Sequence, residues 1–103
     1  SYNPEDYVYV RIRGLLRQAI SADILRLLTD HDITADVNDL AVKYYDGVRS
    51  WWYAKIHPKD LKKALNFGSR MFDSRLVHIE RVSHLLYHTL SDAPTHLPFP
   101  LNP

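Results

Sequence analysis

The amino-acid sequence predicts an α+β fold in which two helices cover one face of a four-stranded antiparallel sheet. Three observations predict it. Residues 7–13, 49–56 and 75–82 alternate in character, the period of a strand with two unlike faces. Residues 21–30 and the stretch opened by Pro58 space their apolar positions three and four apart, the period of a helix packed along one side. Asp46-Gly47 lies between two β-rich runs, the strongest short hairpin signal. A chain of 103 residues has room for one core, and 46% hydrophobic with 24% charged residues suits a globular domain rather than a disordered segment.

The first strand reads Y-V-Y-V-R-I-R. Val8, Val10 and Ile12 point one way and Tyr9, Arg11 and Arg13 the other, and Gly14 is expected to break it. The first helix runs from Ser21 to Asp30. Ser21 suits its cap, Asp23 its first turn, and Ile24, Leu27 and Leu28 its buried face. The second strand is 39–45 and the third 49–56. A three-residue loop between them pairs Tyr45 with Arg49, Lys43 with Trp51 and Ala41 with Tyr53, whereas a slip of one residue would bury Lys43. That register gathers Leu40, Val42, Tyr44, Trp52, Ala54 and Ile56 on the core face. Pro58 suits the start of the second helix, Leu61, Ala64 and Leu65 its stripe, and Gly68 its end. Residues 75–82 form the fourth strand. The order βαββαβ is the ferredoxin-like unit, with the sheet face opposite the helices left open. This domain spans residues 7–82. Residues 1–6 are a polar lead, 83–91 a short third helix, and 92–103, with four prolines, an extended tail. The polar start and Pro-rich end suggest a piece of a longer chain.

What is missing narrows the chemistry. Without cysteine there is no disulfide, thiolate metal site or cysteine nucleophile, and an intracellular setting is the default. No apolar run reaches the ~20 residues of a membrane span. No nucleophile–base pattern or carboxylate cluster appears, and three glycines leave little for a phosphate-cradling loop, so no enzyme and no cofactor are expected. His84 and His88 have a two-ligand spacing but no third ligand, so no metal is expected either. The net charge of +1 does not by itself announce a nucleic-acid partner.

The open sheet face does. Tyr9, Arg11 and Arg13, then Lys43 and Tyr45, then Arg49, Trp51, Tyr53 and Lys55 all fall on it. Flat rings stack on unpaired bases and arginines add planar stacking and phosphate contacts, so the face suits single-stranded RNA. The run R-S-W-W-Y-A-K-I, Arg49 to Ile56, resembles the strand-3 octamer of the RNA recognition motif (RRM) family. Arg49 matches its basic position and Trp51 and Tyr53 its stacking aromatics, while Ser50, Trp52 and Ile56 depart from it. V-R-I-R-G-L, Val10 to Leu15, is similar to the strand-1 hexamer, with Arg11 where a stacking aromatic is usual. That form resembles the quasi-RRM subgroup, which often reads RNA with loops. The resemblance implies an RRM-type fold and RNA binding by these face residues, and it leans toward a nuclear location. Arg70-Met71-Phe72 also resembles the loop of RRM-like domains called UHMs, which bind a Trp-bearing peptide. That alternative implies a protein site at Asp23, Asp30, Arg70 and Phe72. An ACT-like ligand or dimerisation domain shares the element order and Gly14. A protein partner or neighbouring domains are therefore the other expected contacts, and no membrane is.

Overall fold

The computed structural model describes residues 7–44 and 48–83. The expected third helix, the Pro-rich tail, the N-terminal lead, Tyr45 and the His84–His88 pair lie outside the described residues, apart from Ser83.

The chain forms β1 (Val8–Leu16), α1 (Ser21–Asp30), β2 (Leu40–Tyr44), β3 (Arg49–Ile56), α2 (Leu61–Phe67), β4 (Ser69–Phe72) and β5 (Arg75–Val82). Short 3-10 turns, Val37–Asp39 and Pro58–Asp60, precede β2 and α2. The strands lie in the order β2-β3-β1-β5-β4, all neighbours antiparallel. The fold is the RRM-like ferredoxin arrangement with one strand more than the four expected. The additional strand, β4, contains Arg70-Met71-Phe72, a stretch expected to be loop. It pairs with β5 across a two-residue turn, Phe72 opposite Arg75. The register of β2 on β3 is the expected one, with Lys43 facing Trp51 and Ala41 facing Tyr53.

The core lies between sheet and helices. Val10, Ile12, Trp52, Ala54, Ile56, Val77 and Ile79 meet Ile24, Leu27 and Leu28 of α1 and Ala64 and Phe67 of α2. Each aliphatic side chain so buried contributes about 1.5–3 kcal/mol. Trp52 is core, as its strand phase predicts. Leu65 is not: it is 45% exposed, and Phe67 fills the place assigned to it. The buried side of so short a helix is set by Ala64 and Phe67, and Leu65 turns away from that line.

Two local expectations also change. Gly14 does not end β1. It sits at φ +101°, where the pairing of β1 with β3 shifts register between Ile12 and Leu15, and the strand continues to Leu16. A bulge absorbs the interruption because glycine alone tolerates that backbone. Ser21 is the first residue of α1 rather than its cap. The cap position is Ile20, whose N–H is accepted by the Asp23 carboxylate at 2.9 Å, so the first-turn acid does the capping. Asp60, fully buried before α2, accepts from the Thr34 N–H at 3.1 Å and from Lys59 Nζ at 3.1 Å, tying the α1–β2 connection to the α2 entrance.

Candidate nucleic-acid interface

The face opposite the helices is built by strand alternation. β1 supplies Tyr9, Arg11 and Arg13, and β3 supplies Trp51, Tyr53 and Lys55. Pairing places Arg11 between Tyr53 on one side and Glu80 on the other, and Arg13 opposite His78. Arg11 thus occupies the middle of the sheet.

This face has two halves of different chemistry. Toward the start of β1, Tyr9, Ala41 and Tyr53 form a second apolar cluster, against which Tyr7, Trp51 and Val82 pack. Tyr9 and Tyr53 are 2% and 1% exposed, so neither ring offers an open stacking surface in this structure. Burial also pushes the Tyr9 phenol up from its ordinary value. Lys55, at the same end, lies 4.8 Å over the Tyr7 ring and 3.8 Å from Asp39 Oδ1.

The other half is polar. Arg11 Nε donates to Glu80 Oε2 at 2.6 Å, and Arg11 Nη2 pairs with the same oxygen. The Arg11 guanidinium carbon stands 4.6 Å from the centre of the half-buried Trp51 ring, a cation–π geometry. Arg13 Nε approaches Glu80 Oε2 at 3.4 Å, and His78 Nε2 lies 3.5 Å from Oε1. His78 Nδ1 is 2.7 Å from Ser69 Oγ. Burial pushes the Glu80 carboxyl up, but Arg11, Arg13 and His78 outweigh it and hold it below the usual range. Burial would lower the Arg11 guanidinium, and its hydrogen bonds to Tyr53 and Glu80 raise it instead. Lys43 and Arg49 are exposed, Lys43 across from Trp51 and Arg49 across from Leu16 at the strand end.

Of the residues expected on this face, Tyr9, Arg11, Arg13, Trp51 and Tyr53 form one continuous patch, with Lys43 and Arg49 at one border and Lys55 at the other. Sequence reasoning missed β5's contribution, His78, Glu80 and Val82. The alternation of 75–82 carried that signal, because it places these residues on the open face.

The residues of the alternative protein site divide. Asp23 and Phe72 share a groove of about 180 Å³ with Leu15, Leu16, Ala19, Asp73 and Arg75. Asp30 ends α1 at its opposite end, and Arg70 turns back to donate to the Phe67 and Asn66 carbonyls. Arg26 stacks 4.5 Å from the Phe72 ring, pairs with Asp73 at 2.6 Å and approaches Asp23 at 3.5 Å. Among the described residues no group of three or more metal-ligating side chains occurs, and no helix is long and apolar enough to cross a membrane.

Element order, sheet topology and the two-helix layer define an RRM-like ferredoxin fold. The chain is similar in structure to human G-rich RNA sequence binding factor 1. The TM-score is 0.64 at 19% identity, over 86% of this chain and 99% of that one. No family model and no curated protein matches the sequence.

Proposed function

We propose that this domain binds single-stranded RNA, and that the polar half of the open sheet face is where it does so. The observation that carries the reading is the Arg11 guanidinium stacked on Trp51 with exposed Arg13, Lys43 and Arg49 around it. A base packs on this cation–aromatic unit while the surrounding cations meet the phosphates. Tyr9 and Tyr53 form the apolar cluster beside Arg11, and Lys55 extends the basic border. The likeness to an RNA-binding factor supports the reading through the fold.

The test is a tryptophan-fluorescence titration with a mixed-sequence single-stranded RNA. Trp51→Ala weakens binding by about ten-fold, the worth of one stacked base, and leaves the melting temperature within a few degrees. Unchanged affinity in that variant overturns the sheet-face reading.

A second reading has its own observation. The β1–α1 connection, the start of β3 and the β4–β5 turn meet at one end of the sheet, where Arg17 N–H donates to the Val48 carbonyl at 2.9 Å and Arg75 lines the apolar groove. RNA held by this end instead of the face loses affinity in Arg75→Ala and keeps it in Trp51→Ala. The peptide-binding reading is weaker, because Arg26 already lies on the Phe72 ring and is paired with Asp73 and Asp23.

A further inference from the structure

We infer that Arg11 and Arg13 form an anion site with a built-in occupant, in which the Glu80 carboxylate holds the position that a backbone phosphate of single-stranded RNA takes on binding. The inference rests on the RNA reading above and concerns how that same site is regulated.

The geometry has three parts. First, both guanidinia converge on one atom. Glu80 Oε2 accepts from Arg11 Nε at 2.6 Å, pairs with Arg11 Nη2, and lies 3.4 Å from Arg13 Nε. Arg11 reaches that oxygen with two nitrogens and Arg13 stands at ion-pair distance with one, so two guanidinium charges converge on one oxygen as they would on a phosphate oxygen. Second, the cluster is open to an incoming anion: the Arg13 side chain is 46% exposed and that of Glu80 27%. Third, the carboxylate has a place to go. Its other oxygen, Oε1, stands 3.5 Å from His78 Nε2, beyond a good hydrogen bond. The ring is held from its far side by Ser69 Oγ, 2.7 Å from Nδ1. A small rotation of Glu80 toward His78 gives up the arginines and gains that partner.

The consequence is a threshold. A carboxylate beside a phosphate-binding pair repels each incoming phosphate and competes for its donors. Displacing it costs every polyanion the same free energy, so a loosely held one falls below measurable binding while an RNA that also stacks beside Trp51 stays above it. Glu80 thus lowers affinity for every polyanion that takes this position by about the same factor.

The experiment compares wild type with Glu80→Gln, which keeps the shape and removes the charge. Binding of a single-stranded RNA and of heparin, a polyanion without bases, is measured between about 50 and 200 mM salt. At the lower salt the variant binds RNA about five-fold tighter, the effect of one removed neighbouring charge, and its affinity for heparin rises by a similar factor. Its log–log salt slope for RNA equals that of wild type, because the same phosphate is neutralised in both complexes. Arg13→Gln in the same background reverses the increase. Should Glu80→Gln not fold, Arg13→Gln alone still tests the site, because it flattens the wild-type slope by about 0.7 for the one phosphate that Arg13 neutralises. Unchanged or weaker binding by a folded Glu80→Gln, or an Arg13→Gln slope equal to that of wild type, overturns the inference while the RNA reading stands. If RNA binds neither protein yet heparin binds the variant more tightly, the anion site stands and RNA is the wrong anion. If neither polymer binds either protein, both readings fall.

Discussion

Gly14 shows how much one residue can decide. Its φ of +101° is a conformation other residues reach only with strain, and a Cβ placed there would stand 2.2 Å from the Leu76 carbonyl oxygen. The oxygen belongs to β5, so relief requires moving a strand rather than a side chain. Backbone strain and a main-chain clash act together, and Gly14→Ala is expected to destabilise the domain by about 3 kcal/mol or more. Urea unfolding followed by circular dichroism checks it, and a loss under about 1 kcal/mol would mean that the bulge relaxes freely. At the same scale, Arg11 is readable as a face residue from strand parity alone. Its partner is not. Arg11 and Glu80 are 69 positions apart, and only the β1–β5 register brings them together. The burial of Tyr9 and Tyr53 is equally hidden, since parity tells which face a side chain is on but not how much of that face is covered.

The elements explain which parts of the fold are readable. β1, β3, β5 and α1 have unambiguous periods, and the parity of the β2–β3 connection follows from the cost of burying Lys43. β4 escapes a sequence reading because its turn has the wrong letters. Asp73 and Ser74 lie at φ +51° and +65°, the left-handed pair of a type I′ turn, yet the sequence offers Asp-Ser where Asp-Gly would announce a hairpin. A serine held at positive φ costs about 1–2 kcal/mol relative to glycine. Ser74→Gly is therefore expected to stabilise the domain by about 0.5–1 kcal/mol, the strain relieved less the entropy that glycine adds to the unfolded chain. A rise in melting temperature of a few degrees, with Asp73 still paired to Arg26, is the supporting result. A fall would show that the turn gains nothing from glycine. The same hairpin carries Phe72 toward α1, so its stability also sets how firmly one wall of the groove is held.

Over the whole molecule, three carboxylates tie distant parts of the chain together, and each titrates below its usual range. Burial pushes Asp60 up, but the Thr34 N–H with Lys59 and Lys63 pulls it down further. Burial likewise raises Glu80, and Arg11 with Arg13 overcomes it. For exposed Asp73 the hydrogen bond from Arg26 is the main cause of lowering. A carboxyl with a depressed folded value binds fewer protons folded than unfolded. Its stabilisation is therefore complete above the unfolded value, near 3.8 for aspartate and 4.5 for glutamate, and is lost as pH falls through the folded value. The urea midpoint should accordingly stay level from neutral pH to about 5 and then fall steadily into acid. Asp60 should dominate that fall, since its carboxylate is fully buried and its partners are screened least by solvent, whereas the Asp73 pair is open to water and salt. Asp73→Asn is expected to leave the acid limb nearly unchanged, and Asp60→Asn to lower stability at neutral pH and flatten the limb. Equal effects of the two substitutions would show that burial of Asp60 adds nothing to its charge pairing, and a midpoint that rises below pH about 4 would reverse the assigned sign.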